Sequence, residues 1–245
     1  VVSFLNKGLE KGYNMAVIAS GGKLIEIAKK EKLPYIQIPD THIQPRSALG
    51  YSLIAMAKLT DEPVLISELR EISEDIKPLD LKEQGDSIAD SIGNKIPVIY
   101  SSSENLPIVY NWKIKFNETG KIPSFYNLLS ELNHNEMQGF GSEEFSDKFH
   151  FFLLRDIKDH PSIQKRMAVM SDLLERKGYS VTTLMLEGES VLVKIFKSLL
   201  TADWAALKIA REKGINPESV PMIEEFKKKL KDDYPDHFSE DCVWC

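Results

Sequence analysis

Short apolar runs alternate with longer helical patterns along most of this chain, and that alternation is the strongest constraint on its fold. Met15-Ala16-Val17-Ile18-Ala19, Tyr35-Ile36-Gln37-Ile38, Ile96-Pro97-Val98-Ile99-Tyr100, His150-Phe151-Phe152-Leu153-Leu154 and Val181-Thr182-Thr183-Leu184-Met185-Leu186 read as buried strands. Helix patterns run over residues 23–32, 46–59, 104–119, 161–177 and 190–213. This order predicts an α/β fold with parallel sheets covered by helices on both faces.

The charged, helix-favouring stretch 61–93 holds no strand-like run and is expected to link two α/β units, with the boundary near Asp80. The expected organisation is a first unit over residues 1–79, a second over 80–230 and a divergent tail over 231–245. The Glu68 to Lys77 segment reads as a solvated helix face. Val1 to Gly12 reads as a helix ended by glycine, followed almost at once by the strand at Met15.

At 245 residues the chain can bury a substantial core. Its net charge of -6 argues against nonspecific binding to nucleic acid or to an acidic membrane, since neither is attracted by a net negative surface. No apolar run approaches the roughly 20 residues needed to span a bilayer, and no basic segment leads into a signal-type apolar stretch. A soluble, cytoplasmic protein is expected. Cys242 and Cys245 form a C-x-x-C at the extreme end, with no further ligands in view, and read as part of a frayed tail.

Two acidic and imidazole-bearing words carry the chemistry. Glu118 closes Phe116-Asn117-Glu118, and sixteen residues later His134 stands inside Ser130-Glu131-Leu132-Asn133-His134-Asn135-Glu136. A carboxylate and a near-neutral imidazole can move protons on a sugar. Three other words accompany them: Ser20-Gly21-Gly22-Lys23 after an apolar run, Gln44-Pro45-Arg46-Ser47-Ala48-Leu49-Gly50-Tyr51 opening a helix pattern, and Gly214-Ile215-Asn216-Pro217-Glu218-Ser219-Val220-Pro221 before a C-terminal helix.

In this order the words resemble the bifunctional phosphoglucose/phosphomannose isomerases of the sugar isomerase (SIS) superfamily, over roughly residues 1 to 230. The resemblance implies two SIS-type subdomains, each a parallel sheet flanked by helices, with the first incomplete at its N-terminus. In the family a Ser/Thr-rich loop that holds the sugar phosphate directly precedes the helix read here at Val1 to Gly12, so the chain is expected to begin past that loop.

The implied activity interconverts glucose 6-phosphate and mannose 6-phosphate with fructose 6-phosphate, a step of glycolysis and gluconeogenesis. The sugar ring opens and a proton then moves between C1 and C2 through a cis-enediol. Glu118 matches the family's catalytic carboxylate, at the end of a helix whose Trp112, Ile114 and Phe116 suggest a partly apolar setting. His134 matches the residue that exchanges a proton with the ring oxygen, reaching the site from the neighbouring subunit, so a homodimer is implied. Arg46 matches the cation that stabilises the enediolate, and Lys227, within Phe226-Lys227-Lys228-Lys229, the lysine near the ring oxygen. Ser20, Gly21 and Gln44 are the candidate substrate-binding residues.

No cofactor and no metal is required by this chemistry, and no His pair has metal-ligand spacing with a supporting carboxylate or thiol. His42 lies close to Arg46 in sequence, His150 reads as a core or strand-end residue, His160 as a helix entry, and His237 falls in the tail. The competing expectation is a catalytically incomplete SIS module that dimerises or binds sugar phosphate without turnover, because the phosphate loop is absent from these residues.

Overall fold

A computed structural model describes residues 1–233; the expectations for His237, Cys242 and Cys245 lie outside the described residues. The chain divides into two compact units, Val1–Glu71 together with Ser219 onward, and Ile72–Glu218.

The first unit runs α1 (Val2–Glu10), β1 (Val17–Ala19), α2 (Lys23–Lys30), β2 (Tyr35–Gln37), α3 (Leu49–Leu59) and α4 (Pro63–Asp75), the last of which continues into the second unit. β1 and β2 pair in parallel, Val17 opposite Tyr35. Leu5, Val17, Ile25 and Ala28 form its small core, with Ile25 and Ala28 three apart on one face of α2. Gly12, at φ +67°, turns the chain after α1 at a conformation that L side chains rarely adopt.

The second unit continues α5 (Lys82–Ile92), β3 (Ile96–Ser102), α6 (Leu106–Glu118), β4 (Phe125–Leu129), α7 (Glu136–Gly139), β5 (Phe149–Arg155), α8 (Pro161–Arg176), β6 (Ser180–Met185) and α9 (Val191–Glu212). After it comes α10 (Pro221–Asp233), which belongs to the first unit. The four strands form one parallel sheet in the order β4-β3-β5-β6.

Side chains alternate across each strand, so Val98, Tyr100, Phe151 and Leu153 meet Met167, Met170 and Leu174 of α8, while Ile99, Phe152 and Leu154 belong to the cluster that includes α5, α6 and α9. Both faces being covered is why β3 and β5 read as near-continuous apolar runs. Trp112 is buried among Phe116 and Phe152, and its indole N–H donates to Ser198 Oγ at 2.9 Å.

The sheet departs from expectation at one edge. Phe125–Leu129 forms a strand that the sequence reading did not identify, partly exposed and five residues long. The helix expected from Arg46 begins at Leu49, after a 3-10 turn over Pro45–Ser47.

α5 and α9 approach so closely that Gly85 has no room for a side chain. A Cβ there would stand 2.4 Å from Trp204 Cβ and 2.8 Å from the Thr201 carbonyl oxygen. Gly85→Ala should therefore destabilise the protein by about 1–3 kcal/mol despite alanine's better helix propensity. The check is a lower urea midpoint at unchanged m value.

His150 behaves as the core residue its sequence context suggests. Its ring stacks on Phe152 at 4.4 Å, Nδ1 lies 2.9 Å from the Ser91 carbonyl oxygen and Nε2 2.7 Å from Thr182 Oγ1. The carbonyl can only accept, which assigns the proton to Nδ1 and leaves Nε2 to accept from the threonine. Burial holds the pKa below its ordinary 6.5, outweighing the Ser91 bond that favours protonation. The folded state therefore binds this proton less readily than the unfolded chain, and the stability tied to neutral His150 is complete above about pH 6.5 and lost as pH falls below it. Unfolding free energy measured across that range should decline on acidification, and His150→Gln should flatten the decline.

Among the described residues no helix is long and apolar enough to cross a membrane.

Candidate active site

In the first unit, Ser20 and Gly21 form the turn that carries the chain from β1 into α2. Gln37 Nε2 donates to the Ser20 carbonyl at 3.0 Å, tying this turn to the end of β2. Gln44 and Arg46 follow the end of β2 in turn: Gln44 caps the 3-10 turn, accepting from the Ser47 amide at 2.8 Å, and Arg46 is buried to 9% exposure. An arginine at a helix entry is ordinarily a surface residue, so its burial sets Arg46 apart. His42 is exposed, its Nδ1 3.3 Å from Asp40 Oδ1.

Lys227 lies on α10, exposed like Lys228 and Lys229 beside it, and Lys229 pairs with Glu225 at 2.9 Å. The fold does not distinguish Lys227 from its neighbour Lys228.

In the second unit, α6 buries Ile108, Val109, Trp112 and Phe116 along one face. Lys115 is also buried and forms an ion pair with Asp203 Oδ1 of α9 at 2.6 Å. The helix ends at Glu118, which is half-buried. The turn that follows is pinned. The amides of Thr119 and Gly120 both donate to the Lys115 carbonyl at 2.9 and 3.0 Å, and Asn117 Nδ2 donates to the Ile122 carbonyl at 2.9 Å. Lys121 donates to the Glu118 carbonyl and, at 3.2 Å, to that of Pro217. Two of the words singled out in the sequence, the one ending in Glu118 and the one containing Pro217, thus meet through Lys121, which carried no motif of its own.

The Ser130 to Glu136 word resolves into anchors and an outward imidazole. Leu132 is fully buried against the α8 side of the sheet. Asn133 Nδ2 approaches Met170 Sδ at 3.4 Å, and the Glu136 carboxylate accepts from Tyr100 and Asn127. His134 and Asn135 between them are exposed. His134 caps a short 3-10 helix, Glu131–Asn133, its amide donating to the Glu131 carbonyl at 2.9 Å.

The topology separates Glu118 from His134 within one chain. α6 returns from the C-terminal end of β3 to the start of β4, so Glu118 lies at the edge where β4 begins, whereas His134 lies beyond the edge where β4 ends. A strand of this length spans about 16 Å at ~3.3 Å per residue.

In open parallel sheets ligands usually settle where the strand order reverses, here between the C-terminal ends of β3 and β5. Polar side chains of the chain meet there. Lys194 pairs with Asp156 and donates to Asn105 Oδ1 at 3.2 Å, while Asn105 Nδ2 donates to Ser102 Oγ at 2.9 Å. Among the described residues no group of three or more His, Cys, Asp or Glu side chains could hold a metal ion.

A parallel sheet covered by helices on both faces defines the class: the fold is that of the SIS phosphosugar proteins. Glucosamine-6-phosphate deaminase from Thermotoga maritima shares it, with a TM-score of 0.61 and 16% identity over 90% of this chain and 69% of that one. Residues 81–230 match the family described as bacterial phospho-glucose isomerase C-terminal SIS domain. The chain is 33% identical over 232 residues to the bifunctional phosphoglucose/phosphomannose isomerase of Aquifex aeolicus (strain VF5), covering 94% of this chain and 72% of that protein. A relative of the same description from Thermoplasma volcanium is 32% identical over 234 residues, covering 94% and 73%. The chain belongs to the bifunctional phosphoglucose/phosphomannose isomerase family.

Proposed function

We propose that this chain interconverts glucose 6-phosphate and mannose 6-phosphate with fructose 6-phosphate, as a homodimer in which each site draws Glu118 from one copy and His134 from the other. The observation that carries this reading is the separation of the two residues about β4. A base for C1–C2 and a proton donor for the ring oxygen must both reach one sugar, and strand edges roughly 16 Å apart in one copy cannot supply both.

In this reading His134 and Lys227 exchange the proton that opens the ring. Glu118 removes the proton from C2 of the aldose and returns it to C1 while the O2 hydroxyl proton passes to O1, and the ketose follows the same steps in reverse. The Arg46 guanidinium stabilises the negative charge that develops on the enediolate oxygen, and its burial strengthens that interaction. The intermediate is planar at C2, so reprotonation from either face gives glucose or mannose configuration. Every proton removed is returned, and no cofactor is consumed. Sugar phosphates are multiply charged and do not cross a bilayer unaided, which favours a cytoplasmic enzyme.

The test is incubation of the purified protein with fructose 6-phosphate and separation of the products. Formation of both aldose phosphates supports the proposal. Binding of fructose 6-phosphate without turnover would overturn it in favour of a module that holds sugar phosphate but lacks catalysis.

A further inference from the structure

We infer that Glu136, clamped between Tyr100 and Asn127, is the positioning residue that aims His134, an inference resting on the isomerase reading above. Tyr100 and Asn127 are directly opposite each other in the parallel register of β3 and β4, so their side chains leave the same face of the sheet. A carboxylate has one oxygen for each. Glu136 Oε1 accepts from the Tyr100 hydroxyl and Oε2 from Asn127 Nδ2, so a single side chain straddles the two strands.

The loop needs such a fastening. α7 is only four residues long, and a helix of one turn has no stability of its own. Between buried Leu132 and clamped Glu136 lie three residues, with His134 in the middle and facing outward. Asn135 stiffens the span, its Oδ1 accepting from the Glu136 amide at 2.5 Å and its Nδ2 donating to Glu131 Oε1 at 3.0 Å. Burial, and then the bond to Glu136, push the Tyr100 phenol far above its ordinary range, so it remains a hydrogen-bond donor at any working pH. The imidazole therefore rides on a clamp rooted in the internal strand β3. Transfer of a proton to a ring oxygen tolerates little displacement, since an error of about 1 Å can cost on the order of 100-fold.

Tyr100→Phe removes one donor and keeps the ring that packs on Phe151 at 5.6 Å. Fructose 6-phosphate turnover is compared in the wild type, Tyr100→Phe, His134→Gln and the double variant, with melting midpoints in parallel. Tyr100→Phe is expected to lower kcat about tenfold with KM little changed, and to add no further loss once His134 is replaced. Glu136→Gln, which keeps an acceptor for Tyr100, should retain more activity than Glu136→Ala. Independent, multiplying losses in the double variant, or a His134→Gln variant as active as wild type, would overturn the inference while turnover itself upholds the isomerase reading. Absence of turnover in the wild type would overturn both.

Discussion

Glu118→Gln should lower kcat for fructose 6-phosphate by about 10³-fold while leaving KM within a few-fold, because a general base contributes roughly 10²–10⁴ and the amide has the same shape without basicity. Glu118 is half-buried at a helix end, so a melting midpoint measured in parallel separates loss of the base from loss of packing. In deuterated water the wild type should also wash deuterium into the C1 and C2 positions of the sugar, and the variant should not. Wild-type rates with Glu118→Gln would remove this residue from the chemistry whatever the family resemblance.

The second large effect is a recovery. Glu118→Gln and His134→Gln, each nearly inactive alone, should regain up to about a quarter of wild-type activity when their subunits are mixed and allowed to exchange. In a symmetric dimer random exchange makes half the dimers hybrid, and each hybrid contains one site with an intact base from one copy and an intact imidazole from the other. The companion site carries both substitutions and stays silent. Failure to recover activity after exchange is demonstrated by mass would mean that both residues act within one copy, against their separation along β4.

Most strands and helices were legible because the signals that define them are local. Val98-Ile99-Tyr100 and Phe151-Phe152-Leu153-Leu154 are apolar on both faces because each face is covered, and α6, α8 and α9 follow periodicities visible in any short window. β4 was not legible. Five residues with an asparagine at the centre, on a half-exposed sheet edge, have neither a continuous apolar run nor a clean alternation.

Among the candidate site residues, type and order were readable, while burial and partners were not. Arg46 looks in sequence like any surface arginine, and only the fold encloses it. Gly85, in a charged segment, gives no sign that Trp204 and Thr201 will press against its backbone. Glu136 is plain in the motif, yet its partners are 36 residues upstream and nine residues upstream, joined by strand register that no local window encodes.

The sequence by itself determined the parallel α/β class, the family and the residue types that can handle a sugar's protons, because periodicity and short motifs are properties of neighbouring residues. Only the tertiary structure decided that Glu118 and His134 sit at opposite ends of one strand and that Tyr100 and Asn127 meet over Glu136. Those facts depend on strand order and register, which arise when distant segments bury their apolar faces against one another.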